Sequence, residues 1–253
     1  MLIGGGADKE KNSGGRIMAF LLKDVVPWGR RLSEYQDMFH LTDEEIVSKR
    51  IVSFGDGPAS FNAEGTRLGA HILSLDPIYQ FSKQELVGRL EKTRGIVMEQ
   101  MRQNQDHYKW DKIKSLEELE QVRLSAIQMF LADFEQGLLE QRYQYHELPE
   151  RTEYEDDSFD LGLSSHFLLL YTALGLEFHI CSIEEMLRIC KEIRIFPLVN
   201  LDAEKTQLTQ EVISYFKDQC EVQVKPVGYE FQKGADMMLV IRNHNKKHGR
   251  NTE

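Results

Sequence analysis

Gly55-Asp56-Gly57 lies between a short apolar run, Ile51-Val52-Ser53-Phe54, and a stretch with helical spacing from Ser60 to Leu68. Glycines at such a junction let the backbone approach a ligand closely, with N–H groups facing outward. Asp76 ends the next apolar run, about twenty residues on, where a carboxylate can accept from both hydroxyls of a ribose. Strand, glycine turn, helix and terminal acid together point to a nucleoside site. The plain alternative is a sharp turn, with Asp76 capping a loop. A dinucleotide fold calls for Gly-x-Gly-x-x-Gly, the last glycine packing helix against strand beside a pyrophosphate. Here the sixth position is Ser60, and the fourth is Pro58, which has no N–H to offer. A ligand with a ribose and no phosphate suits this turn better, which disfavours an NAD-dependent oxidoreductase.

These residues need a sheet to hold them. Residues 50–77 read as strand, turn, helix and strand, a βαβ unit whose short apolar strands imply a parallel sheet covered on both faces. Residues 82–103 and 115–141 are charged and helical in period, and Ser82 with Glu85 and Ser115 with Glu118 fit capping boxes. With the polar link that carries Tyr108 and Trp110, they form a helical insertion spanning residues 80–141, longer than an ordinary α/β connection. Strands are expected at 142–148, 159–165 and 192–199, and helices at 182–191, with Ser182 as cap, and at 206–220. Strands at 221–225 and 237–241 are joined too closely for a parallel crossover and form an antiparallel pair. The fold class is therefore α/β: a Rossmann-like, mostly parallel seven-stranded sheet with an antiparallel C-terminal hairpin. It occupies a single domain over residues 17–243, between a flexible leader at 1–16 and a flexible tail at 244–253.

Composition agrees with that organisation. The chain has 253 residues, 41% hydrophobic and 9% aromatic, enough for a sizeable core. Its 31 basic against 41 acidic residues leave a net charge of -10, which argues against nucleic acid and against anionic lipid as partners. No run approaches the roughly 20 apolar residues of a membrane span. Cys181, Cys190 and Cys220 show no CxxC spacing and read as reduced thiols of a cytoplasmic protein. His244 with His248 sits in the basic tail, and Glu177 with His179 lacks a third ligand, so no metal site is expected.

The element order, the segment Phe54-Gly55-Asp56-Gly57-Pro58-Ala59-Ser60-Phe61 and Leu75-Asp76-Pro77 resemble the class I S-adenosylmethionine-dependent methyltransferases. Val26-Pro27-Trp28-Gly29-Arg30, the run from Ser164 to Tyr171, Arg194-Ile195-Phe196-Pro197-Leu198 and Tyr229-Glu230-Phe231-Gln232 resemble a little-characterised bacterial branch of them. The resemblance implies S-adenosylmethionine as cofactor. It places Gly55, Asp56 and Gly57 against its amino-acid part, Asp76 on its ribose and Pro77 and Ile78 beside its adenine. Glu147 and Leu148 would flank the adenine, and Ser164 and Ser165 would face the methionine part. One departure stands out: the family usually has an acidic residue where this chain has Ser53.

Methyl transfer from a sulfonium is an in-line displacement governed by alignment, and it needs a base only where the nucleophile must lose a proton. His166, directly after the fourth strand, is the candidate base; the alternative is a histidine that packs or orients a loop. Arg30 either binds the cofactor's carboxylate or serves the leading helix, whose Trp28, Met38 and Phe39 read as core. The insertion reads as a lid over the pocket, as a homodimer contact, or as both. The acidic charge and the absence of an Asp/Asn-Pro-Pro-Tyr/Phe motif favour a small-molecule acceptor. A non-catalytic nucleoside-binding protein on the same fold is the alternative that Ser53 keeps open.

Overall fold

The computed structural model describes residues 28–244. The expected leader at 1–16, Val26, Pro27 and the tail beyond His244, with His248, lie outside the described residues. Five strands run parallel: β1 (Arg50–Phe54), β2 (His71–Leu75), β3 (Tyr143–Gln144), β4 (Phe159–Ser165) and β5 (Cys190–Phe196). Two more, β6 (Cys220–Pro226) and β7 (Met237–Asn243), pair antiparallel, and β7 also lies antiparallel to β5. The seven form one sheet of order β3-β2-β1-β4-β5-β7-β6. The direction of strand order reverses between β1 and β4, and in open α/β sheets ligands bind outside the carboxyl ends at that reversal.

In β1 and β2 every residue after the first is buried, as expected of strands covered on both faces. Alternation along β1 sends Ile51 to one face and Val52 and Phe54 to the other. On the first face lie α1 (Leu32–Phe39), α2 (Asp43–Ser48) and α3 (Phe61–Arg67), contributing Tyr35, Met38, Ile46 and Phe61. The insertion supplies α4 (Lys83–Gln103) and α5 (Leu116–Leu139). On the second face lie α6 (Leu176–Ile189), with Ile183 and Met186, and α7 (Gln207–Phe216), with Val212 and Phe216.

The insertion reaches across the sheet's edge rather than standing apart from it. The 24 residues of α5 extend about 36 Å at the helical rise. Its first turns, with Leu116 and Leu119, join the α1 face. Its far half packs Ile127, Phe130 and Phe134 on Tyr79 and Tyr143, closing the β3 edge. The link between α4 and α5 pairs with the loop between β6 and β7 through an isolated bridge, Tyr108 to Gln232.

Several expected boundaries move. The alternating run at 142–148 yields only the two residues of β3. Ser182 is no cap: α6 begins six residues earlier at Leu176, after Gly175 turns the chain at φ +83°. Ser182 is buried inside the helix, and Glu185 faces Thr152 and Arg188 instead of a helix start. The Ser82 box forms as expected, with Ser82 N donating to Glu85 at 2.8 Å. At Ser115 only half of it forms: Glu118 N donates to the serine, while the Glu118 carboxylate accepts from Lys114 N.

One buried polar side chain fixes α3, and with it the glycine turn, against the sheet. Asn62, with no exposed surface, donates from Nδ2 to Ile72 O, Arg142 O and Ser74 Oγ at 3.0–3.1 Å. Its Oδ1 accepts from Arg142 at 2.7 Å. Replacing it with an apolar side chain orphans those groups, so Asn62→Leu should lower folding stability by about 1–3 kcal/mol. A urea titration measures this, and a midpoint equal to that of wild type would contradict the clamp.

Candidate functional site at the carboxyl edge of the sheet

Register brings the two halves of the site together. Phe54 pairs with Ser164, so the glycine turn leaving β1 and the Ser164-Ser165-His166 segment leaving β4 are neighbours at the strand-order reversal. Gly55 and Gly57 both sit in left-handed backbone, at φ +66° and +59°. A side chain on Gly55 would come within 2.8 Å of the Phe167 ring, whereas nothing lies within 4 Å of that position on Gly57. Gly57 is therefore the open point of the turn.

Asp56 has a different place from the one expected. Its carboxylate turns into the core, 7% exposed, and accepts from Ser53 Oγ and Ser74 Oγ at 2.6 Å each and from the Tyr35 hydroxyl. Burial raises its pKa, and the hydroxyls work against that rise. The side chain thus organises the turn from beneath, with three of a carboxylate's roughly four lone-pair sites taken by the protein. The carboxylate missing at Ser53 is present one hydrogen bond away.

Asp76 bridges the turn to the next element. Its oxygens accept from Gly57 N and Ile78 N, both at 2.8 Å, capping the short 3₁₀ turn Pro77–Gln80. Loop capping and ligand binding are compatible here, because a carboxylate has about four lone-pair sites and these bonds use two. Burial pushes its pKa up to about 6 against the pull of the two N–H groups, and the Asp56 charge adds to the rise. Pro77 and Ile78 follow at the edge, partly buried. Glu147 also stays there, accepting from Tyr145 at 2.8 Å. Leu148 is 7% exposed and belongs to the core cluster of Leu73 and Leu75.

Above β4 lies a buried polar cluster of which the sequence signalled only part. Arg30 is 8% exposed; its Nη1 donates to Trp28 O at 3.3 Å, its Nε has no partner, and it forms no ion pair among the described residues. Arg123 reaches in from α5, 2% exposed, and its Nη1 meets both oxygens of Glu34 at 2.7 Å. Tyr229 donates to Glu34 at 3.1 Å. Burial works to raise the Glu34 pKa, yet Arg123 and Arg30 hold it below the usual carboxylate range. The partner of Arg123 lies 89 positions away, and nothing in local spacing announces such a pair.

His166 sits beside this cluster in left-handed backbone at φ +54°, its N–H donating to Phe196 O at 2.6 Å. Ser165 Oγ lies 2.9 Å from its Nδ1. Burial, then the charges of Arg30 and Arg123, hold its pKa well below the ordinary histidine value. Ser164 is fully buried and its Oγ has no partner. Three buried polar atoms of this neighbourhood have no partner: Arg30 Nε, Arg123 Nε and Ser164 Oγ. This donor set fits a ligand with a ribose at one end and an amino-acid group at the other. Pyrophosphate fits poorly, since Ser60 N already donates to Arg30 O at 2.9 Å.

Against these residues the known proteins can be set. No protein-family model matches the chain. It is 34% identical over 223 residues to the uncharacterized protein MJ0045 of Methanocaldococcus jannaschii, covering 87% of this chain and 97% of that one. The chain belongs to that protein's family. Among solved structures, the MJ0045-family chain is similar to a SAM dependent methyltransferase from Aquifex aeolicus, at 12% identity and TM-score 0.40, over 92% of this chain and 100% of that one. It is also similar to a TehB-like SAM-dependent methyltransferase from Corynebacterium glutamicum, at 14% identity and TM-score 0.43, over 91% and 94%. The fold is read from the chain's own strand order, which is the architecture that the resemblance to class I methyltransferases implied.

Other expected features take structural places. Met38 and Phe39 are fully buried, and Trp28 packs on the core with the Arg123 guanidinium 5.6 Å over its ring. Among the described residues no group of three or more His, Cys, Asp or Glu side chains could hold a metal ion. No helix there is long and apolar enough to cross a membrane. His179 is buried in α6 and holds the loop after β4: its Nδ1 faces Leu169 N at 3.5 Å and its Nε2 faces Tyr171 O at 3.3 Å. That loop is strained, with Leu169 at φ +67°.

Burial lowers the His179 pKa to about 4. An unfolded chain takes up the proton near 6.5, so stability from the neutral imidazole is fully present above that pH and lost as pH falls towards 4. The stability cost of His179→Ala should therefore be smaller at pH 4.5 than at pH 7.5 in urea titrations. Equal costs at the two pH values would show that the imidazole is not held neutral.

Proposed function

We propose that this MJ0045-family protein is an S-adenosylmethionine-dependent methyltransferase acting on a small-molecule acceptor. The observation that carries the reading is a polarity across the glycine turn. Asp76 offers a carboxylate on the β2 side, while Arg30 offers a guanidinium whose Nε has no partner and which forms no ion pair among the described residues. S-adenosylmethionine has the matching polarity, ribose hydroxyls at one end and a carboxylate at the other, and no phosphate for Pro58 and Ser60 to refuse. When bound, it supplies an electrophilic methyl group on a sulfonium.

In this reading Asp76 holds the ribose, with Pro77, Ile78 and Glu147 along the adenine. Gly57 leaves room for the ligand, Arg30 binds the carboxylate and Ser164 Oγ meets the methionine part. His166 is kept neutral by its surroundings, so it can accept a hydrogen bond from an acceptor's X–H at Nε2. A depressed pKa makes it a poor store for that proton. Alignment is accordingly the main catalytic contribution asked of the protein, and the rigid cluster of Arg123, Glu34 and Tyr229 suits that task. A non-catalytic nucleoside-binding protein is the second reading, favoured by Ser53 and by the full engagement of Asp56 with hydroxyls.

Calorimetry on the full chain separates the readings. S-adenosylmethionine and S-adenosylhomocysteine should bind and NAD should not; failure of both sulfur nucleosides to bind would sink the proposal. Binding without turnover on a metabolite pool would favour the second reading. Asp76→Ala should weaken S-adenosylhomocysteine by about 1–3 kcal/mol through the lost hydrogen bonds. Because Asp76 takes up a proton near pH 6, wild-type affinity should fall between pH 7 and pH 5, while Asp76→Asn should show no such fall. A flat wild-type profile would count against a carboxylate on the ribose.

A further inference from the structure

The two consecutive arginines ahead of α1 serve different spaces. Arg30 lies close enough to His166 for its charge to act on that ring. Arg31 lines a cavity of about 180 Å³ under the insertion, between α1, the link before α5 and the loop joining β6 to β7. Its volume is below the roughly 300–1,000 Å³ of pockets for drug-sized ligands, so it suits an occupant of amino-acid or hydroxy-acid size.

Charge in this cavity is unevenly settled. Three carboxylates line it, and each already has its own cation: Glu34 has Arg123, Asp37 has Lys112 and Glu230 has Lys109. Arg31 forms no ion pair among the described residues, and its Nε is buried without any partner. A guanidinium lining a cavity, with no ion-pair partner of its own among the described residues, is a receptor for a carboxylate or phosphate oxygen pair.

Position connects the cavity to the transfer site. Tyr229 and Glu34 line it from within, and the Tyr229 ring stands perpendicular to that of His166, with centroids 6.2 Å apart. The link carries its own aromatic anchor: Tyr108 stacks on Phe231 at 5.0 Å and Trp110 meets the same ring edge-on at 5.5 Å. We infer that this cavity receives the anionic end of the methyl acceptor, a small carboxylate- or phosphate-bearing molecule held by Arg31. The acceptor role rests on the methyltransferase reading; the anion site rests on the cavity alone.

Amide NMR on the full chain, titrated separately with acetate and with inorganic phosphate, tests the site and tells the two anions apart. At least one of them should shift Arg31, Ser33 and Tyr229 saturably. Arg31→Gln should weaken that anion by about tenfold or more, the loss of one charge-assisted pair, and Arg31→Lys should retain most of it. S-adenosylhomocysteine affinity should be the same in Arg31→Gln as in wild type. Absence of shifts with both anions, or equal shifts in Arg31→Gln, overturns the site. A loss of S-adenosylhomocysteine affinity in Arg31→Gln also overturns it, since Arg31 would then belong to the cofactor. If wild type fails to bind S-adenosylhomocysteine while the anion shifts persist, the acceptor role is overturned and the anion site stands.

Discussion

A carboxylate placed inside the turn that ends β1 has to be satisfied by the protein, because water cannot reach it. Asp56 is that carboxylate, and its donors come from three different elements: Tyr35 on α1, Ser53 on β1 and Ser74 on β2. One side chain thereby fixes the leading helix, the turn and two strands relative to one another. Tyr35 delivers its hydroxyl from a ring stacked on Phe61, with centroids 4.1 Å apart and planes 5° from parallel, so α3 is drawn into the same arrangement. The left-handed conformations of Gly55 and Gly57 follow, since the chain must bring Asp56 back under the turn while leaving Gly57 outward. The methyltransferase resemblance leads one to seek an acid at Ser53; here a hydroxyl stands there and donates to the acid of Asp56.

The insertion completes what Asp56 begins. Arg123 would be a costly guest in the interior, but Glu34 compensates it through two short contacts and Gly29 O accepts from it at 3.3 Å. Removing either partner would leave a buried charge, so α5 and α1 are held in one register. Arg30 and Arg31, consecutive in the chain, then have different neighbours, His166 for one and the cavity under the insertion for the other.

Much of this was legible in the residues, and the parts that were not share a physical reason. The βαβ unit, the exact span of β4, the antiparallel end and the Ser82 cap follow from local pattern: alternation, turn chemistry and spacing within a few positions. A strand-ending acid after a glycine turn is also a local signal, and Asp76 does meet that turn through Gly57 N. The inward turn of the Asp56 carboxylate is not announced, because an exposed turn residue and a buried one look alike in sequence; its three donors are 21, 3 and 18 positions away. The Arg123–Glu34 pair and the cavity beside Arg31 depend on packing between distant segments. Ser182 misled for the opposite reason, since a capping signature also occurs by chance inside a helix whose apolar stripe continues through it.

The link before α5 and the loop that meets it are far apart in the order of synthesis. Lys109 pairs with Glu230, 121 positions later, and Tyr108 and Trp110 find their shared partner in Phe231. At about 5–20 residues per second, a ribosome takes roughly 6–24 s to make the chain between them. During that interval the aromatic pair emerges with no ring to cover it, on a segment flanked by two long helices that can already form. The nascent protein therefore passes through a stage with an open site and an exposed aromatic patch, where a chaperone or a neighbouring chain competes with the segment's own late-arriving partner.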